Sequence, residues 1–184
     1  MNTAVAIPGY LAGTWKADPA HSEIAFSVRH LMVGNVRGRF TGYDVTIVLN
    51  EDPSASTVSA TIDLASVDTG NKTRDGHLRS ADFLGAGKHP AMSYRSTAVR
   101  RTADGWVVDG ELTLNGITRQ VPLAVEANGF GPDPLGGQRA GFSATAQINR
   151  RDHGIDLTVL LDAGGVVIGD KVSISLEIQA VLQT

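Results

Sequence analysis

The sequence predicts an all-β fold, a single antiparallel sheet of about eight strands closed into a barrel. Nearly every ordered-looking stretch alternates apolar and polar residues with period two. Successive strand side chains point to opposite faces, so each run has one face for a core and one for water. The apolar member of each pair is often Ala or Gly. A closed sheet with such an inner face can enclose space that its own side chains do not fill, which points to a container more than a catalyst.

Taken in order, residues 1–13 read as a loose leader, with Pro8 and Gly9 but no period, and residues 14–184 as one domain. Strand runs are expected at roughly 23–31, 36–49, 56–65, 90–101, 106–115, 118–128, 139–150 and 170–182. Ile24, Phe26 and Val28 set the inward parity of the first; Val58, Ala60, Ile62 and Leu64 that of the third. The later runs carry Trp106, Val108, Gly110, Leu112 and Leu114, then Val121, Leu123 and Val125, then Phe142, Ala144, Ala146 and Ile148, then Val172, Ile174, Leu176 and Ile178. Asn115-Gly116 favours a tight hairpin, because both residues tolerate positive φ. A bulge flips every later side chain, and Phe40-Thr41-Gly42-Tyr43 is the expected place for one. From Asn71 to Phe83 the alternation stops, and Gly70 and Gly85 bracket the break. A short helical segment near residues 71–84 fits, capped by Thr73 or Asn71. Residues 151–169 read as a long connection covering one barrel end.

A chain of 184 residues is long enough to bury a sizeable core. Its apolar fraction of 42% and charged fraction of 19% are those of a folded globular protein. The net charge of −3 argues against nucleic acid or an anionic membrane as an electrostatic partner. The absence of cysteine excludes disulfides, thiol catalysis and Cys-ligated zinc. No run approaches the roughly 18 apolar residues of a transmembrane segment. The N-terminus lacks a basic region before its short apolar run, so a cytoplasmic location is expected.

The five histidines, at 21, 30, 77, 89 and 153, match no zinc spacing, and no metal or cofactor is expected. No Ser sits in a nucleophile elbow. Gly85-Ala86-Gly87-Lys88 lacks the spacing and following Ser or Thr of a phosphate loop. Asn71-Lys72-Thr73 fits a glycosylation sequon, a pattern common by chance. His30 continues the apolar parity of the first run. It either meets a ligand's head group from inside or lies past the strand end and bonds a loop carbonyl. Arg29, Arg37 and Arg39 fall on the opposite parity. The cluster Arg74 to Arg79 lines an anionic head-group site at the rim, or forms a salt-bridged helix that plugs one end.

Several blocks together resemble one family. They are Asp18 to His30, Val36 to Phe40, Ser66 to Thr69, Arg74 to Leu84, Gly110 to Thr118 and Ala140 to Phe142. In this order, spanning about residues 14–182, they are similar to the YceI-like, polyisoprenoid-binding family of bacterial proteins. The resemblance implies a lipocalin-like barrel of eight strands with a helical segment near one end. It also implies a long apolar chain, an isoprenoid or fatty-acid derivative, held inside. Many members are periplasmic, whereas this chain shows no recognisable signal. It also departs at His153, where the resemblance leads one to expect an aromatic residue.

Three functions follow. The first is non-enzymatic binding, carriage or sequestration of a long-chain amphiphilic lipid. The second is a barrel-mouth isomerase or hydrolase using His30 or His77 as acid and base. The third is a stress-related structural protein with a filled barrel. Parity favours the first, with no catalytic residue. The expected ligand-binding residues are Phe26, Val28, His30, Ile62, His77, Leu112, Leu114, Leu123, Phe142, Ala144, Ile148 and Ile174, the two histidines orienting the polar head. A homodimer is left open.

Overall fold

The period-two alternation is realised as twelve strands and one short helix in a computed structural model that describes residues 6–159 and 167–184. In chain order they are β1 (Gly13–Ala17), β2 (Glu23–His30), β3 (Gly34–Phe40), β4 (Tyr43–Leu49), β5 (Thr57–Asp63), β6 (Val67–Asp68), α1 (Lys72–Arg79), β7 (Ala91–Thr102), β8 (Gly105–Leu114), β9 (Ile117–Gln120), β10 (Leu123–Pro132), β11 (Gln138–Asn149) and β12 (Ile168–Leu182). All pairings are antiparallel, and the ring β1-β4-β5-β7-β8-β10-β11-β12 closes through β1 and β12. Closure pairs the ring strands with neighbours on both sides, whereas β3, outside the ring, meets β6 only at Arg39 and Phe40.

Three staves of this eight-stranded barrel are broken, two of them side by side. β1 and β2 lie end to end along one edge of β12, with Ala17 opposite Ala180 and Ile24 opposite Leu176. β3 and β4 follow suit, pairing with β2 and β1. Pro19, which has no backbone N–H, lies in the first break. Thr41-Gly42 lies in the second, where a Cβ on Gly42 would crowd Asp63 and Ser66 at 3.3 Å. The second break changes parity, so that Phe40 is buried on one side of it and Val45, Ile47 and Leu49 on the other. The bulge expected at Phe40 to Tyr43 is thus a strand break. Register slips occur instead at Ser96/Ala98 in β7, Ala127/Gly129 in β10 and Ile168/Val172 in β12.

The expected 118–128 run is also two strands on one edge of β8, parted at Val121-Pro122. Asn115 and Gly116 have φ of 55° and 72° and make the expected tight turn. β1 was not among the expected runs. It carries Trp15, which is fully buried. The leader is not loose where it approaches β1: the Tyr10 hydroxyl donates to the Asn50 carbonyl at 2.6 Å, and the Trp15 indole N–H donates to Leu11 at 3.2 Å.

The helix is capped by Asn71, whose side chain accepts from the Arg74 N–H at 3.0 Å. Asp75 in its first turn and His77 and Arg79 in its last complement the helix dipole. Among the described residues no helix is long and apolar enough to cross a membrane. The registers place α1, the β2–β3 turn, Asn115-Gly116 and a 3-10 turn at Arg150–His153 at one barrel end. The start of β1 and the β4–β5, β7–β8 and β10–β11 connections lie at the other. That second end is filled. The slip at Asn128 turns Phe130 inward, edge-on to Trp15 at 5.8 Å, Tyr10 at 5.4 Å and Phe142 at 5.9 Å.

A blind apolar cavity with a cationic mouth

Between the aromatic plug and the α1 end the lumen stays open, as a cavity of about 450 Å³. Its wall is built by alternate residues of β2, β4, β5, β7, β8 and β12, with Leu78, Phe83 and Leu84 contributed by α1 and the turn after it. Ten of the twelve expected ligand-binding residues border it: Phe26, Val28, His30, Ile62, His77, Leu112, Leu114, Leu123, Ile148 and Ile174. Phe142 and Ala144 do not. Phe142 meets Phe130 edge to face in the plug, and Ala144 is packed opposite Leu176 and Val125. Parity placed both on the inner face, but their depth puts them in or beside the filled end.

Small residues keep the lumen wide. Ala60 faces the cavity between Val45 and Tyr94 on the neighbouring strands. Gly38 leaves room for the Phe26 ring, which a Cβ there would strike, and Gly110 does the same for the Tyr94 ring and hydroxyl. Tyr94 is buried in the wall. Its hydroxyl donates to the Val121 carbonyl at 2.8 Å and lies 3.3 Å from that of Val108. Burial, and secondarily the charge of Asp109, raises its pKa. This polar contact bridges the β9–β10 break. Alternation of Met92 with Tyr94 in the 90–101 run was the signal that could have found it.

The polar groups cluster at the mouth. His30 ends β2 there, and Arg29 donates to the Met32 carbonyl at 3.2 Å. Arg74 bonds Thr69 twice, Nε to Oγ1 at 2.7 Å and Nη2 to the carbonyl at 2.8 Å. The Thr69 hydroxyl in turn donates to the buried Asp75 at 2.6 Å. His77 lies 2.9 Å from Asp82 through Nε2 and edge-on to Phe83 at 4.9 Å. Arg74, His77 and Leu78 of this helix thus border the cavity.

Sequence reasoning missed Arg150. Only 3% exposed, it donates to the carbonyls of Gly169 at 3.1 Å and Ile155 at 2.7 Å. Its Nη2 is 3.1 Å from Asp170, too poorly aligned for a hydrogen bond. Burial lowers its pKa, and Asp170 partly restores it. His153 is buried nearby, its Nδ1–H donating to the Ile117 carbonyl at 3.1 Å. An imidazole with Nδ1 bonded to a backbone carbonyl thus occupies the place where an aromatic residue was expected. The 151–169 connection contributes Ile155, Leu157, Val159, Val167 and Ile168 to the cavity, and its residues 160–166 lie outside the described residues. The lip is apolar: Leu31, Met32 and Val33 stand exposed in the β2–β3 turn, with Leu31 and Met32 at positive φ.

A second hollow lies on the outer face of β2, β3, β11 and β12, lined by groups such as Ser27, Arg37, Thr145 and Ser173. Its lining mixes these groups with Phe26, Ala146 and Ile174, and it is open to water, so a hydrocarbon there would stay partly hydrated. Among the described residues no three His, Asp or Glu side chains converge as metal ligands.

This architecture has close counterparts. The structure resembles BcnA of Burkholderia cenocepacia with a TM-score of 0.73, over 89% of this chain and 98% of that one, at 22% identity. It resembles the Campylobacter jejuni YCEI protein with a TM-score of 0.70 over 100% and 97% of the two chains, at 26% identity. A polyisoprenoid-binding domain from Saccharophagus degradans, implicated in plant cell wall breakdown, gives 0.64 over 95% and 100%, at 16% identity. In sequence, a UPF0312 protein of Pseudomonas paraeruginosa is 41% identical over 150 residues, 80% of this chain and 78% of that protein. Protein YceI of Escherichia coli is 40% identical over 148 residues, 79% and 78% of the two chains. The YceI-like domain matches residues 15–180, and the chain therefore belongs to the YceI-like family.

Proposed function

We propose that the protein binds the apolar tail of an amphiphile inside its barrel and carries or sequesters it chemically unchanged. The observation that carries this reading is the 450 Å³ cavity, walled by aliphatic and aromatic side chains and polar mainly at its mouth. That is the usual form of a small-molecule site, an apolar pocket with a few orienting groups. The Saccharophagus degradans neighbour, named for polyisoprenoid binding, supports an isoprenoid-like lipid at the level of the family. A filled structural barrel is disfavoured, because only the Trp15 end is filled.

One observation keeps an enzymatic reading in view. His77 and Asp82 pair at the mouth, an arrangement that can move a proton. One experiment separates the two. Native mass spectrometry of the purified full chain, with lipid extraction, should reveal a bound amphiphile. After long incubation with added palmitate or farnesol, the extracted probe should keep its mass. No bound amphiphile and no uptake of either probe would refute the carrier reading. A chemically altered probe, unaltered with His77→Ala, would move the protein to the enzymes.

A further inference from the structure

We propose that the outer edge of β3 docks an extended, acidic segment of a partner protein, which adds to the sheet as one more strand. Backbone geometry and charge carry this independently of what the barrel holds.

β3 pairs with β2 without interruption from Ile24 opposite Phe40 to His30 opposite Gly34. On its other side, among the described residues, it meets only β6, at Arg39 and Phe40. The chain leaves that line soon after Asp68. Gly70 takes a φ of 77°, its N–H donates to the Asp68 carboxylate at 2.9 Å, and Asn71 then caps α1. The strand position beyond β6 is thereby left open. Alternation sets which groups face it. The Thr41 N–H donates to the Ser66 carbonyl at 3.3 Å, toward the β6 side. Every second residue before it, Arg39, Arg37 and Asn35, therefore turns its N–H and C=O the same way. Arg39 has Asp68 opposite, whereas the edge-facing groups of Asn35 and Arg37 have no backbone partner among the described residues. Successive unpaired donors and acceptors on an exposed strand are a template for another strand.

Edges are commonly guarded by proline, a bulge or charge. β3 has no proline, and its register with β2 has no slip. Its guard is charge, and that charge selects the occupant. Asn35, Arg37 and Arg39 share the outer face, with Arg29 opposite Asn35 on β2. Among the described residues Arg29 and Arg37 form no ion pair, and Arg39 reaches Asp68 at 3.6 Å. The carboxylates on this face, Asp68 and Glu23, lie toward the β6 end, so the open stretch is cationic on a chain of net charge −3. A second copy would bring the same guanidiniums together, and like charges on facing strands repel. An acidic strand meets them as opposite-charge pairs. The outer hollow runs across Arg37, Gly38 and Arg39 to Thr69 and Gly70, which leaves room for its side chains. The fitting segment alternates carboxylates, opposite Asn35 and Arg37, with apolar residues, opposite Gly34, Val36 and Gly38.

The test is NMR of the isotope-labelled full chain, titrated with a capped heptapeptide of alternating glutamate and valine. The Asn35 and Arg37 amides should shift, and their hydrogen exchange should slow about tenfold at saturation. The matching lysine–valine peptide should bind about tenfold more weakly. N-methylation of every glutamate keeps the charge but removes the donors that face β3, and should abolish binding. Arg37→Glu, with a melting temperature near the parent's, should reverse the preference between the two charges. Equal binding of the N-methylated peptide would overturn the proposal, because charge alone would then suffice. So would shifts that spare Asn35 and Arg37, or no binding of either peptide. Protection of these two amides in the free chain, together with a dimer in sedimentation, would make a second copy the occupant and overturn it as well.

Discussion

Replacing Ala60 by Trp should abolish tail binding while sparing the fold. Ala60 faces the cavity from β5, and its cross-strand neighbours Val45 and Tyr94 do not cover it completely. Tryptophan adds about nine non-hydrogen atoms to the Cβ, and at one displaced methylene per atom, ~0.8 kcal/mol each, the upper bound of lost binding is ~7 kcal/mol. An indole lying flat against the wall displaces about half as much, leaving a loss of ~3–4 kcal/mol, two to three decades in affinity. Ala144 is the matched control. It is buried opposite Leu176 and Val125 and does not line the cavity, so Trp there overpacks the core by about 1–3 kcal/mol. At this chain length each kcal/mol lowers the melting temperature by roughly 2–4 °C. The assay is fluorescent fatty-acid titration together with thermal unfolding of both ligand-free variants. Ala60→Trp should melt near the parent and fail to bind, and Ala144→Trp should melt markedly lower. If Ala60→Trp binds normally, or the two variants are destabilised equally, the assignment of open and filled lumen is wrong.

Other perturbations test the frame around the cavity. Tyr94→Phe leaves the Val121 and Val108 carbonyls without their buried donor and should destabilise by about 1–3 kcal/mol, read as a lower urea midpoint with an unchanged m-value. Gly116→Val forces a β-branched residue to φ of 72° beside the His89 ring, and should cost at least ~1–2 kcal/mol in the same assay, whereas Gly87→Val, which meets open space, should cost less. The Asp18 carboxyl is held at about 2 by His21, then by Arg139 and the Ala20 N–H. Because this folded-state value is depressed, its stabilisation is present above the ordinary value of 3.8 and lost as pH falls toward 2. Arg139→Gln should raise the Asp18 pKa in a carboxyl NMR titration and narrow the stability difference between pH 6 and pH 2. An unmoved titration would show that Arg139 contributes little.

Period-two alternation determined much of this protein from sequence alone. It is a local property, set by side chains pointing to alternate faces of each strand, and it identified the inner wall through Phe26, Val28, Ile62, Leu112, Leu114 and Ile174. Turn chemistry was equally local: Asn115-Gly116 and the Asn71 cap act within a few residues of themselves. The tertiary structure decided depth, which no local pattern encodes. Phe142 and Ala144 share the parity of the wall yet lie at the filled end, because the slip at Asn128 sends Phe130 inward to meet Trp15. Trp15 itself sits on a five-residue strand, too short for a periodic signal, and completes the ring only through its pairing with β12 and β4. Arg150 reads as a surface cation until the chain folds its 3-10 turn against β12 and buries it at the cavity wall. Which side chains face inward is written residue by residue. How far along the barrel the space remains empty, and which charges meet at its mouth, depends on strands far apart in sequence meeting in one register.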